Sequence, residues 1–289
     1  MIYGKIGLMR KKLKPIVVIG FFLTFFAIIF ISGVYGNRAT AGKETTITQS
    51  NTNPTSIETI PSSSYYITNA LEMKPIIDVS AWQRPSEIDY NTLSKNISGA
   101  IVRIQSGSHT KNENTATDKN GLDKAFDTHI KEFQARNVPV AVYAYVTGNS
   151  IDSMKEEARS FYEAANKYNP TFYWLDVEEH TMDDMNGGVE AFRQELESLG
   201  AKNIGIYVGT YFMEDHSINV DKFDAVWIPT YGVDSGYYNA APSTDLDYDL
   251  HQYTSRGYVN GFENYLDLNI ITTLKDPNKV YRKLFTTPE

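Results

Sequence analysis

TFYWLDVEEH, residues 171–180, is an apolar run that ends in acids, and its reading decides the fold. Tyr173, Trp174 and Leu175 have the β-favouring, buried character of a strand enclosed on both faces. Period-two alternation then aims Asp176 and Glu178 at one face and sends Glu179 to the other. Runs of the same kind recur on both sides, giving eight strand candidates at 75–80, 99–106, 138–147, 171–178, 203–210, 225–231, 248–254 and 264–270. Helical patterns such as LDKAFDTHIKEFQARN, DSMKEEARSFYEAANKY and GVEAFRQELESLG lie between them, the last closed by Gly200. This rhythm predicts an α/β fold: a parallel sheet with helical crossovers, closed into an irregular TIM-like (β/α) barrel of about eight strands. Between strands six and eight there is little room for helices, so some are expected to be missing there.

Such a barrel gathers function at the C-terminal ends of its strands. Asp78 ends strand one and Trp82 follows it; Tyr143 and Tyr145 lie late in strand three, Asp176 and Glu178 in strand four and Tyr207 in strand five. Trp227 and Tyr231 belong to strand six, Gln252 to strand seven and Asp267 to strand eight. Closure makes strands one and eight neighbours, so four acids are expected to share one mouth. Two carboxyls side by side raise one another's proton affinity, which suits acid/base work on a sugar. Blander readings stay open: Asp78 also fits a turn cap, and the aromatic residues also fit packing. His251 reads as structural, because no serine or cysteine elbow accompanies it. No HxH, HExxH or glycine-rich phosphate loop is present, so neither metal nor cofactor is expected. Twenty tyrosines and three tryptophans exceed what a core of this size needs, and rings with polar tips suit stacking on pyranose faces. Residues 232–247 form a long loop on the expected active face, with Tyr237 and Tyr238 near its tip.

The ends of the chain divide it further. Residues 1–14 are a basic tail expected in the cytoplasm, and residues 15–35 are apolar over the thickness of a bilayer, as a transmembrane helix or uncleaved signal anchor would be. The Ala39-Thr40-Ala41 triplet leaves cleavage and secretion as the alternative. Both place the remainder outside the cell. Residues 36–73, rich in Ser, Thr and Asn, read as a flexible linker with an r.m.s. span of about 35 Å. Residues 74–289 are long enough for one domain with a substantial core. Cysteine is absent, which excludes disulfides and thiolate catalysis. Residues 1–43 hold seven Lys/Arg and no acids, leaving 20 Lys/Arg against 35 Asp/Glu and a net −15 beyond them. An exported part this acidic is a poor nucleic-acid binder.

Several ordered motifs resemble those of glycoside hydrolase family 25, the lysozymes that act as N-acetylmuramidases on bacterial peptidoglycan. They are DVSAWQ (78–83), YWLDVE (173–178), VWIPTYG (226–232) and HQYTSRGYVNGFENYLDLN (251–269), and the match spans about 75–272. The resemblance implies hydrolysis of the β-1,4 bond between N-acetylmuramic acid and N-acetylglucosamine in an irregular barrel, with glycan strands as partner. It carries Glu178 over as the general acid and Asp176 as its partner, with Asp78 and Asp267 as acids of the same site. Because that substrate bears a 2-acetamido group, its carbonyl oxygen is the expected nucleophile, oriented by Asp176. After strand two the family commonly shows a lysine and a Glu-Gly pair, whereas this chain reads Arg103-Ile104-Gln105-Ser106-Gly107. A non-catalytic barrel that binds glycan and scaffolds an envelope complex is the alternative that this departure supports.

Overall fold

The computed structural model describes residues 62–107 and 113–287. The basic tail, the apolar segment at 15–35 and the linker as far as residue 61 lie outside the described residues. Among the described residues, no helix is long and apolar enough to cross a membrane.

Eight strands close into one barrel in sequence order. They are β1 (Ile76–Val79), β2 (Gly99–Gln105), β3 (Val140–Tyr145), β4 (Tyr173–Val177), β5 (Ile204–Val208), β6 (Ala225–Pro229), β7 (Leu250–Val259) and β8 (Phe262–Ile271). Each coincides with one of the eight apolar runs. The helices are α1 (Ser62–Glu72), α2 (Tyr90–Leu93), α3 (Phe126–Gln134), α4 (Ile151–Ala165), α5 (Met185–Ser198), α6 (Thr210–Asp215) and α7 (Pro277–Phe285). None stands between β6 and β8: the long loop at 232–247 joins β6 to β7, and a tight turn joins β7 to β8.

Two expectations need correction. Helix α1 occupies the end of the stretch read as linker. Its Tyr66 is half-buried and its Ala70 buried, and Met73 just beyond the helix packs against the core, apolar positions masked in the sequence by the surrounding Ser, Thr and Asn. The sheet is also not parallel throughout: β8 runs antiparallel to both β7 and β1. The cause is Asn260-Gly261, a two-residue hairpin turn that can join only antiparallel strands, since a parallel return needs a dozen or more residues. Gly261 has φ 108°, and a Cβ there would lie 2.4 Å from the Leu93 nitrogen.

The strands bury both faces. Outward residues such as Ile77, Val102, Val142, Leu175 and Ile206 pack against Phe133, Phe161, Phe192 and Leu196 of the helices. Inward residues Ile76, Ile101, Trp174, Trp227 and Leu250 fill the barrel, and Val280, Leu284 and Phe285 of α7 belong to the same cluster. Helix starts follow side-chain capping: Ser150 and Ser153 form a capping box on α4, and Asp184 accepts from the Gly187 nitrogen at 2.8 Å on α5. Inside the barrel the Trp174 and Trp227 rings meet edge to face at 5.6 Å. This floor depends on Gly205, where a Cβ would stand 2.4 Å from the Trp174 ring. Gly205→Ala is therefore expected to lose about 1–3 kcal/mol through overpacking, read as a lower midpoint in denaturant. An unchanged midpoint would show that the indole can move.

Candidate active site

Register builds the site. Asp78 pairs with Asp267, Arg103 with Tyr143, Tyr145 with Asp176, Asp176 with Tyr207, and Tyr207 with Trp227, so inward side chains from successive strands stand side by side. They enclose a cavity of about 230 Å³ lined by Asp78, Arg103, Tyr143, Tyr145, Asp176, Glu178, Tyr207, Trp227, Tyr231, Gln252 and Asp267. The strand-end residues singled out in the sequence all line it; Trp82, in the turn after β1 and 60% exposed, does not, nor do Tyr237, which is exposed, and Tyr238, which packs against His251 and Tyr253. Asp267 arrives on a reversed strand rather than at a C-terminal strand end, yet its pairing sets it level with Asp78.

A chain of amides fixes the floor. Asp78 Oδ2 accepts from Gln252 Nε2 and from Asn269 Nδ2, each at 2.8 Å. Gln252 Oε1 accepts from the hydroxyls of Tyr207, at 2.8 Å, and Tyr231. Asn269 Oδ1 accepts from Trp227 Nε1 at 2.8 Å. Because each amide nitrogen faces the Asp78 carboxylate and each amide oxygen accepts from ring donors, neither amide can flip without breaking bonds. Trp227 is almost fully buried and tied to Asn269, so it serves as floor more than as an open stacking surface. Asn269 is the contributor that inspection of strand ends missed; it sits two residues beyond Asp267 on the same face.

The mouth departs from simple alternation. Strand β4 ends at Val177, so Glu178 and Glu179 lie beyond it and both are exposed. Glu179, expected to face away, accepts from the cavity-lining Tyr145 hydroxyl at 2.8 Å. The reason is that period two lasts only as long as the strand. Arg103 was noted only as a departure in sequence, yet it lines the cavity. Its Nε lies 3.0 Å and its Nη2 2.9 Å from Asp123 Oδ2, and Asp123 also accepts from the Ala81 and Ala125 nitrogens. A bulge between Arg103 and Gln105 takes Gln105 out of this register, and its Nε2 donates to the Glu157 carbonyl at 3.0 Å. Arg103 thus keeps a cation in this stretch, while Ser106 stands before Gly107 in place of the expected glutamate.

Desolvation raises the proton affinity of all four acids, through burial for the three aspartates and through crowding of the carboxyl at the cavity mouth for the surface-exposed Glu178. Asp78 is pushed up to about 6 by desolvation, against the pull of its two amide donors. Asp267 is pushed up to about 8 by desolvation and the charge of Asp78. Asp176 is raised well above the carboxylate range by desolvation and the charge of Glu178, partly opposed by Arg103. Glu178 is raised by desolvation and by the charge of Glu179, against the pull of its hydrogen bond with Asp176. One Asp176 oxygen, Oδ1, is buried without a hydrogen-bond partner within the protein. His251, nearby on β7, is depressed to about 4 by burial and bonds the Thr230 carbonyl through Nε2, consistent with a structural part. Among the described residues, no group of three or more His, Asp or Glu is arranged to hold a metal ion.

The family model for "Glycosyl hydrolases family 25" matches residues 77–262, most of the barrel with its acid pair. The chain belongs to glycosyl hydrolase family 25. This family 25 chain is 57% identical to GHIP, described as a glycosyl hydrolase 25 of Streptococcus pneumoniae and a virulence factor participating in host cell invasion, over 78% of this chain and 98% of that one, with a TM-score of 0.73. It is 26% identical to the catalytic domain of the endolysin ply40 from bacteriophage P40 of Listeria monocytogenes, over 72% and 97% of the two chains, with a TM-score of 0.61. A bacterial lysozyme from Streptomyces coelicolor shares the fold at a TM-score of 0.59 and 18% identity, over 75% and 99%. A search of the curated proteins returned no match. The family 25 chain is therefore a glycosidase of the lysozyme type.

Proposed function

We propose that the barrel cleaves the β-1,4 bond between N-acetylmuramic acid and N-acetylglucosamine in peptidoglycan, with Glu178 as the general acid. The observation that carries this reading is the pairing of a solvent-reachable Glu178 with a buried Asp176 whose Oδ1 lacks a partner. Such an oxygen costs stability unless a ligand donor completes it, and the N–H of a 2-acetamido group is a donor of the right kind. Burial alone would hold the pair's proton on Asp176; donation from the acetamido N–H favours the Asp176 carboxylate and moves that proton to Glu178, and Asp176 then turns the acetamido oxygen toward the anomeric carbon. Glu178 gives its proton to the leaving glycosidic oxygen as the carbon–oxygen bond breaks and the acetamido oxygen bonds to carbon. Water then attacks the same carbon, returning its proton to Glu178 and restoring the acetamido group. Asp78 and Asp267 hold the floor and its charge, and Tyr143, Tyr145, Tyr207 and Tyr231 wall the sugar.

Mass analysis of fragments from purified peptidoglycan tests this directly. Fragments ending in reducing N-acetylmuramic acid are expected; reducing N-acetylglucosamine ends would point to the other linkage, and no fragments at any pH would favour a scaffold.

The location follows from the sequence of the N-terminal part. We propose that residues 15–35 hold the enzyme on the cell membrane as a single pass, with the basic residues 1–14 inside and the barrel outside. An acidic enzyme has no electrostatic attraction to an anionic wall, and a tether supplies the local concentration that charge does not. Fractionation of cells is expected to leave the protein in the membrane pellet after alkaline extraction. Recovery from the culture fluid, with an N-terminus just beyond Ala41, would mean cleavage instead.

A further inference from the structure

The β7–β8 hairpin runs past the end of the barrel, and its two faces differ. One face, with Val259, Phe262, Leu266 and Leu268, is buried in the core. Gly257 allows this, because a Cβ there would stand 2.2 Å from the Leu268 side chain. The opposite face is open: Tyr258 is 65% and Tyr265 is 49% exposed. Their rings meet at 4.9 Å, and the Arg256 guanidinium lies 5.9 Å from the Tyr265 centroid.

The open face is continuous with the catalytic cavity. Asp267 and Tyr265 flank the buried Leu266 along β8, so the acid in the cavity and the tyrosine outside it project from the same side of one strand; beyond Tyr265 the register shifts and Glu263 is exposed near the turn. From Asp267 to Glu263 is about 13 Å, long enough for a disaccharide repeat. The loop after β6 joins the same edge, with Asp234 accepting from Thr254 and Ser255 and lying 3.8 Å from Arg256. At the far end, Tyr258 and Glu263 line a second cavity of about 510 Å³ that also takes in Glu87 and Asp89. Tyrosine faces with hydroxyl tips, rimmed by carboxylates, match the C–H faces and hydroxyl rims of pyranose rings.

We infer that this hairpin face is an outer subsite of the enzyme, on which Tyr258 and Tyr265 hold sugars of the same glycan strand beyond the bond being cut. The inference rests on the glycosidase reading of the cavity. It makes the protein selective for polymeric strands over short fragments, since only a long strand reaches both places.

The test separates the two readings. In the full-length Glu178→Gln protein, adding Tyr258→Ala and Tyr265→Ala is expected to weaken binding to purified polymeric peptidoglycan about tenfold in a sedimentation assay. In the otherwise native enzyme the same two substitutions should raise KM on the polymer and leave hydrolysis of a soluble tetrasaccharide unchanged. Tyr258→Phe with Tyr265→Phe should keep most of the affinity. Unchanged binding to the polymer would overturn the subsite, as would an equal loss on the tetrasaccharide. A tenfold binding loss in a protein that hydrolyses neither substrate would overturn the catalytic reading and leave the subsite standing.

Discussion

Glu178→Gln should lower kcat on peptidoglycan by about 10²–10⁴-fold and leave the thermal midpoint nearly unchanged. The amide keeps the size of the side chain and removes its proton, so what is lost is protonation of the leaving oxygen. Stability is spared because Glu178 stands beyond the end of β4 and is exposed, where substitutions usually act within about 0.5 kcal/mol. Native activity is expected to fall as the pH rises above the ordinary glutamate range, because desolvation, helped by the charge of Glu179 and only partly offset by the hydrogen bond with Asp176, raises Glu178 and its proton is lost at higher pH. The residual activity of Glu178→Gln should not follow that fall. Wild-type rates in the substituted protein would remove Glu178 from the mechanism.

Asp267→Asn should stabilise the fold, and more so at alkaline pH. Asp267 titrates near 8 in the folded protein, and an unfolded aspartate titrates near about 3.9, so folding favours the protonated form. The stability this group contributes is present below about 4 and is lost as the pH rises through about 8. Asp78, raised to about 6, acts in the same direction over a lower window. An amide at position 267 cannot ionise beside Asp78 and relieves that loss. The gain over the native protein at pH 9 is expected at about 2–4 kcal/mol, or roughly 5–10 °C in Tm, with a small difference at pH 5. Equal midpoint differences at both pH values would mean that the carboxyl is not held neutral by its site. Loss of activity in the same variant would show that the enzyme accepts a less stable floor for the sake of its chemistry.

Much of this was legible because it follows chain periodicity. Strand β4 declares itself by Tyr173, Trp174 and Leu175, and alternation carries Asp176 to the cavity. Asp78 and Asp267, 189 positions apart, could be joined because closure leaves the first and last strands as neighbours. The failures begin where the period stops. Glu179 lies past the strand end, and Trp82 lies in a turn, so neither direction could be read from spacing. Arg103 follows plain alternation from Ile101 and could have been placed in the cavity, whereas the bulge that turns Gln105 away is revealed only by pairing. The reversed β8 had a signal in plain view, Asn260-Gly261 between two alternating runs, but a barrel rhythm of parallel crossovers obscured it. Helix α1 was lost in a polar composition that usually means disorder.

In the proposed mechanism Glu178 and Asp176 cut the glycan with help from the substrate's own acetamido group. Nuclear magnetic resonance of the first products from a muramic acid-containing glycan tests it most directly. The account predicts reducing N-acetylmuramic acid that appears first as the β anomer, because two inversions at one carbon restore the configuration. An α anomer formed first would mean direct attack by water and would contradict the account.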